Sequence, residues 1–171
     1  MAAVRSPDVA ARELLKKHAV TSIPVDVELI ALGEGAQIVR ESLERSVSGA
    51  LLRRGASTLL AVNDNHNSRR QRFTIAHELG HLVLHPGREY TVDSAVRVNW
   101  RNDLSSLATD REEIQANAFA AALLMPAAAV REAVSALRDA SAVRAADVLA
   151  AKFEVSQEAM SYRLVNLGIS T

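Results

Sequence analysis

His77 and His81 stand four residues apart, and Glu78 directly follows the first of them. On a helix, residues at that spacing share one face, with Cβ atoms about 6 Å apart. Two imidazoles so placed can converge on one Zn2+, and the carboxylate between them can reach a water held there. Chance alone puts a His-Glu-x-x-His pattern into a chain of this size and composition about 0.01 times. That is rare for one chain and common across a proteome, so the surrounding residues must support the reading.

A catalytic zinc needs three protein donors and an open position for water. In one class of zinc peptidase a third His follows the second by six residues, but position 87 is Gly87, which excludes that class. His85 continues the four-residue step. A straight helix turns by about 40° every four residues, however, so three imidazoles in a row rarely reach one ion. A carboxylate from a second helix is the better candidate. Thr109-Asp110-Arg111-Glu112 reads as a capping box that starts a helix over 109–125. Glu112 and Glu113 would lie in its first turn, with Glu112 engaged by the box, so Glu113 is preferred as the third donor. Asn117 follows on the same face, where its side-chain oxygen could accept the spare N–H of a ligating imidazole. A helix dipole also favours ordinary acids in a first turn, and spacing alone does not separate the two readings.

Ile75, Ala76, Leu79, Leu82 and Val83 give an apolar side to a helix over 68–84, which His85-Pro86-Gly87 stops. Strand-like runs cover 36–40, 47–53 and 58–62, with Gly55-Ala56-Ser57 as a hairpin turn between the last two. Amphipathic spacing predicts helices over 8–20 and 25–32, whereas 90–106 has no clear period. Further helices are predicted over 127–138, 142–153 and 157–166, the first of them opened by Pro126. The pattern predicts an α+β fold. Its parts are a zinc-peptidase-like helical core, a small, mostly antiparallel three-stranded sheet, and a helical C-terminal tail. One domain over 1–171 is expected, with a catalytic part over 1–130 and the tail over 131–171.

Lys and Arg balance Asp and Glu at 20 each, so no global positive field argues for nucleic acid or membrane. The chain has no cysteine, which excludes a disulfide scaffold and every Cys-ligated zinc site. The first eleven residues lack the apolar stretch of a secretory signal. The longest apolar run, 118–130, is too short to span a bilayer and contains Pro126. A cytoplasmic protein is expected.

Two blocks carry a resemblance. They are Arg72-Phe-Thr-Ile-Ala-His-Glu-Leu-Gly-His-Leu-Val-Leu-His85 and Glu113-Ile-Gln-Ala-Asn-Ala-Phe-Ala-Ala-Ala-Leu-Leu-Met-Pro126. Together they resemble the ImmA/IrrE family of metallo-endopeptidases over about residues 20–130. The resemblance implies that His77, His81 and Glu113 bind one Zn2+ per chain and that Glu78 is the catalytic base. The downstream Glu also makes the chain similar to the gluzincin class. A regulatory role is implied too, namely limited cleavage of a helix-turn-helix repressor or antitoxin in a stress-response or toxin–antitoxin circuit. Glu78 would take a proton and later hand it to the leaving amine. Candidates for oxyanion or substrate contacts are Tyr90, Arg72, Arg101 and His85, each also explicable as a surface or structural residue. A donor set of two imidazoles and one carboxylate accepts other divalent ions as well.

Residues 145–167 have the spacing of a helix-turn-helix DNA reader, with Gln157, Ser161, Tyr162, Arg163 and Asn166 on the second helix. Only one of these is basic, whereas phosphate binding needs several, so the packing role is favoured. The competing function is a non-catalytic regulator that binds DNA or a transcription factor and keeps zinc for structure. A structural site has no need of Glu78. Arg69-Arg70-Gln71-Arg72 is a basic cluster that reads either as a solvated helix start or as a steering group for an acidic substrate segment.

Overall fold

The computed structural model describes residues 6–55, 57–87, 90–94, 103–137 and 142–169. Among them the elements run α1 (Pro7–Lys17), α2 (Val27–Gly33), β1 (Ala36–Glu41), β2 (Val47–Arg54), β3 (Ser57–Asn63), α3 (Ser68–Leu84), β4 (Tyr90–Ser94), α4 (Asp103–Leu124), α5 (Ala127–Ala136), α6 (Ala142–Phe153) and α7 (Gln157–Asn166). The fold is α+β. Helices α3, α6 and α7 start and end where the residue pattern places them. None of these helices alone is long and apolar enough to cross a membrane.

The sheet has four strands, not the three expected, in the order β1-β3-β2-β4. β1 runs parallel to β3, while β2 is antiparallel to both β3 and β4. The β2–β3 hairpin closes with Arg54 opposite Ser57. Gly55 sits in that turn at φ +59, a left-handed conformation that glycine adopts without a Cβ clash. β4 was hidden in the aperiodic stretch because it is only five residues long. A strand that short shows too few alternations for a period to emerge, and its pairing with β2 defines it.

The second correction concerns α4. This helix begins at Asp103 and not at the capping box read at Thr109. Leu104, Leu107 and Ala108 keep helical spacing upstream of Thr109, so the chain has no reason to leave the helix there. Glu112 and Glu113 therefore lie within the helix, away from its first turn.

α3 is held in place from all sides. Asn67 caps its start, accepting from the backbone N–H of Arg70 at 3.0 Å. Every residue from Thr74 to His81 is buried. On one side stand Leu51, Leu60 and Val62 of the sheet, and on the other Phe119, Ala120 and Leu123 of α4, all in one hydrophobic cluster with Ile75, Ala76 and Leu79. The same cluster continues through Leu14 of α1, Leu149 and Phe153 of α6, and Met160 and Leu164 of α7.

Gly80 sets how closely α3 and α4 approach. A Cβ at this position would lie 3.0 Å from the Ala116 Cα, 3.1 Å from the Ala116 carbonyl oxygen and 3.2 Å from Phe119 Cδ1. The nearest of these atoms are backbone, which cannot swing aside. Gly80→Val is therefore expected to overpack the contact by about 2–3 kcal/mol, lowering the melting temperature by roughly 5–10 °C. An unchanged melt would show that the two helices do not meet there.

Candidate metal centre

Full burial of a helix turn that contains His77, Glu78 and His81 forces those polar groups to find partners. For the two histidines the partner is Glu113 on α4. His77 Nε2 lies 3.2 Å from Glu113 Oε2, and His81 Nε2 lies 3.2 Å from Glu113 Oε1. The two Nε2 atoms are 3.1 Å apart. The rings stand edge to face, 4.7 Å between centroids with planes at 71°, so both nitrogens point at one place. One donor atom from each of the three residues lies within 4.8 Å of the others, a group that could hold a metal ion.

The separations fit a tetrahedral ion. Metal–donor bonds of 2.0–2.1 Å at tetrahedral angles put neighbouring donors about 3.3–3.4 Å apart. Two imidazoles and one carboxylate are also a donor set used by catalytic zinc. The imidazoles are almost inaccessible, while the Glu113 side chain keeps 31% of its surface exposed, so the group opens to solvent on the α4 side. Burial pushes the Glu113 carboxyl upward. Hydrogen bonds to His77 and His81 and their charges outweigh this and hold it well below the ordinary carboxylate range. At neutral pH it is an anion, the form in which it can ligate.

Asn117 Oδ1 lies 3.0 Å from His77 Nδ1. With a proton on Nδ1, donated to the amide oxygen, the Nε2 lone pair is left facing the donor group. One helix turn separates Glu113 from Asn117, so α4 supplies both contacts. The face is set by helix phase: Glu113, Ala116, Asn117 and Ala120 follow each other at three- and four-residue steps. Glu112, one step round, is not among the donors.

Of the remaining candidates, His85 closes α3 as its C-cap at φ −123, with its ring centroid 5.7 Å from that of His81. It stands beside the donor group without joining it. Arg72 is engaged elsewhere, with Nη2 donating to the Val25 carbonyl at 3.0 Å and Nη1 3.7 Å from Glu154. The Tyr90 side chain and Arg101 lie outside the described residues. Glu78 is fully buried one residue beyond His77.

Two positioning residues escaped the sequence reading. Arg53 reaches from β2 to the end of α3, where its Nη2 donates to the His81 carbonyl at 2.9 Å and its Nη1 to the His85 carbonyl at 3.3 Å. A cation there adds a donor to the carbonyls of the last turn, where the helix dipole favours positive charge. Nothing near Arg53 in the sequence announces the contact. Gly80 did carry a signal: glycine inside a helix costs about 1 kcal/mol relative to alanine, so its presence marks a close approach.

The IrrE N-terminal-like domain of the peptidase class matches residues 33–165. The chain belongs to this family. The match continues beyond the 20–130 span of the two blocks, taking in α5, α6 and most of α7 of this IrrE-like domain. An "Uncharacterized immunity region protein 2" of Bacillus phage phi105 is 26% identical over 117 residues, or 68% of this chain and 66% of that protein. A Mycobacterium tuberculosis transcriptional regulator shares the fold, with a TM-score of 0.60 and 22% identity over 92% of this chain. The chain spans just under two thirds of the phage protein and 46% of the mycobacterial one.

If the group binds zinc through these atoms, Asn117→Ala should weaken binding about 10- to 100-fold in chelator competition. Glu113→Ala should weaken it further, because it removes a donor outright. Equal affinities across wild type and both variants would rule the group out as a metal site.

Proposed function

We propose that this IrrE-like chain is a zinc-dependent endopeptidase that cleaves a regulatory protein of the helix-turn-helix repressor or antitoxin kind in the cytoplasm. The observation that carries the reading is the convergence of two imidazole nitrogens and one carboxylate, with Glu78 buried beside them. His77, His81 and Glu113 would hold the ion, and Asn117 would keep His77 in the tautomer that leaves Nε2 free. When bound, a divalent ion would supply a Lewis acid that lowers the pKa of a water and polarises the scissile carbonyl. Glu78 would take the proton from the attacking water and return it to the leaving amine. The exposed flank of Glu113 gives a polypeptide an approach to the centre. A regulatory substrate is supported by the immunity-region name of the phage relative.

The competing reading, a DNA-binding regulator with structural zinc, loses its main contact. Arg163 is the one basic residue of α7 and is only 5% exposed. Its Nε donates to the Met125 carbonyl at 3.0 Å and its Nη2 to Asp8 Oδ1 at 3.0 Å. A guanidinium so engaged cannot reach a phosphate.

Glu78→Gln decides between them. The variant should bind zinc like wild type and cleave a repressor or antitoxin encoded beside its gene at least about 100-fold more slowly. Undiminished cleavage would remove Glu78 as the base, and an unchanged regulatory output in cells would favour the binding reading.

A further inference from the structure

A cleft of about 1010 Å3 opens beside the metal centre. Phe73 at the start of α3, Ile114, Ala118 and Ala121 on α4, and Val155 and Tyr162 at α7 supply its apolar surface. Ile114 is 68% exposed and Tyr162 is 64% exposed, so the lining presents large apolar groups to solvent. The cleft adjoins the donor group. Asn117, which hydrogen-bonds His77, is part of its wall, and Ile114 directly follows Glu113.

Its charge is one-sided. Arg69 and Arg70 stand on the rim, both exposed, against a single carboxylate from Glu158. The starts of α3 and α7, capped by Asn67 and Ser156, also border it and add the positive ends of two helix dipoles. Every lining residue belongs to α3, α4, α7 or their caps and turns, so the cleft offers no strand edge. An occupant must bind through side chains, as an amphipathic helix does in a groove. The α7 wall is pinned, because Arg163 is fixed to Met125 and Asp8.

We propose that this cleft seats an acidic amphipathic helix of the protein that is cleaved, holding it while a neighbouring segment enters the metal centre. The proposal rests on the peptidase reading for the identity of the occupant. The binding itself does not depend on catalysis.

The test uses the zinc-loaded full chain carrying Glu78→Gln and a fluorescein-labelled helical peptide of about fifteen residues. The peptide has Leu at three- and four-residue steps and Glu at its ends. Anisotropy should give a Kd on the order of 10–100 µM. Replacing the peptide's Glu by Lys, or introducing Arg69→Glu, Ile114→Glu or Tyr162→Ala, should each weaken binding about tenfold. All three protein positions are exposed, and an unchanged thermal melt shows that the fold is intact. Binding weaker than about 1 mM, equal affinity for the Lys peptide, or indifference to Ile114→Glu overturns the proposal. So does an Arg69-dependent complex with a DNA duplex in place of the peptide, or a dimer that Tyr162→Ala dissolves. Persistent cleavage by Glu78→Gln would sink the peptidase reading while leaving these binding results as they stand.

Discussion

Two helices meet with almost nothing between their backbones where Gly80 faces Ala116, and the donor group exists because of that contact. A carboxylate on one helix can come within 3.2 Å of two imidazoles on another only if the helix axes are close. Gly80 lies one residue before His81, and Ala116 lies between Glu113 and Asn117. The point of closest approach is thus also the point where the side chains must converge. A larger residue at either position would push the donors apart along with the backbones. The sheet supports the geometry from the other side. Leu51, Leu60 and Val62 back the helix with apolar surface, and Arg53 fixes its last turn through the His81 and His85 carbonyls.

Burial then does two things to the polar groups. It removes the competing water that would let each side chain wander, so two rings and a carboxylate keep one arrangement. It also makes any unsatisfied arrangement expensive, since an unpaired buried charge or amide costs several kcal/mol. The Glu113 carboxylate escapes most of that penalty because it keeps an exposed flank and is bonded to both imidazoles. A divalent ion placed among these donors would replace contacts that already hold them together. The arrangement is preformed, and little reorganisation stands between it and a loaded centre.

The pattern in the sequence exposed the local parts well. His77, Glu78 and His81 were visible because a four-residue step on a helix is itself a geometric statement. The end of α3 followed from His85-Pro86-Gly87. One of the reasons for choosing Glu113 does not hold, since Thr109 does not cap α4, while the other, Asn117 on the same face as partner to an imidazole, does. Glu113 meets the imidazoles because of its phase on the helix, about one turn before the Ala116 that faces Gly80. Spacing within a segment reports on that segment alone. Where β4 pairs and which arginine caps α3 are settled by contacts between distant parts of the chain. No short window contains them.

Arg163 shows the same limit in the opposite direction. On a helical wheel it looks like the one basic residue a recognition helix would offer to a phosphate. In the fold it turns inward, spends its donors on the Met125 carbonyl at the end of α4 and on Asp8 of α1, and joins the tail to the helix that carries Glu113. A buried guanidinium with two fixed acceptors acts as a strut. Removing it would leave a carbonyl and a carboxylate without their partner and loosen α7 from the rest. The tail is therefore joined to α4, the helix that carries Glu113 and Asn117.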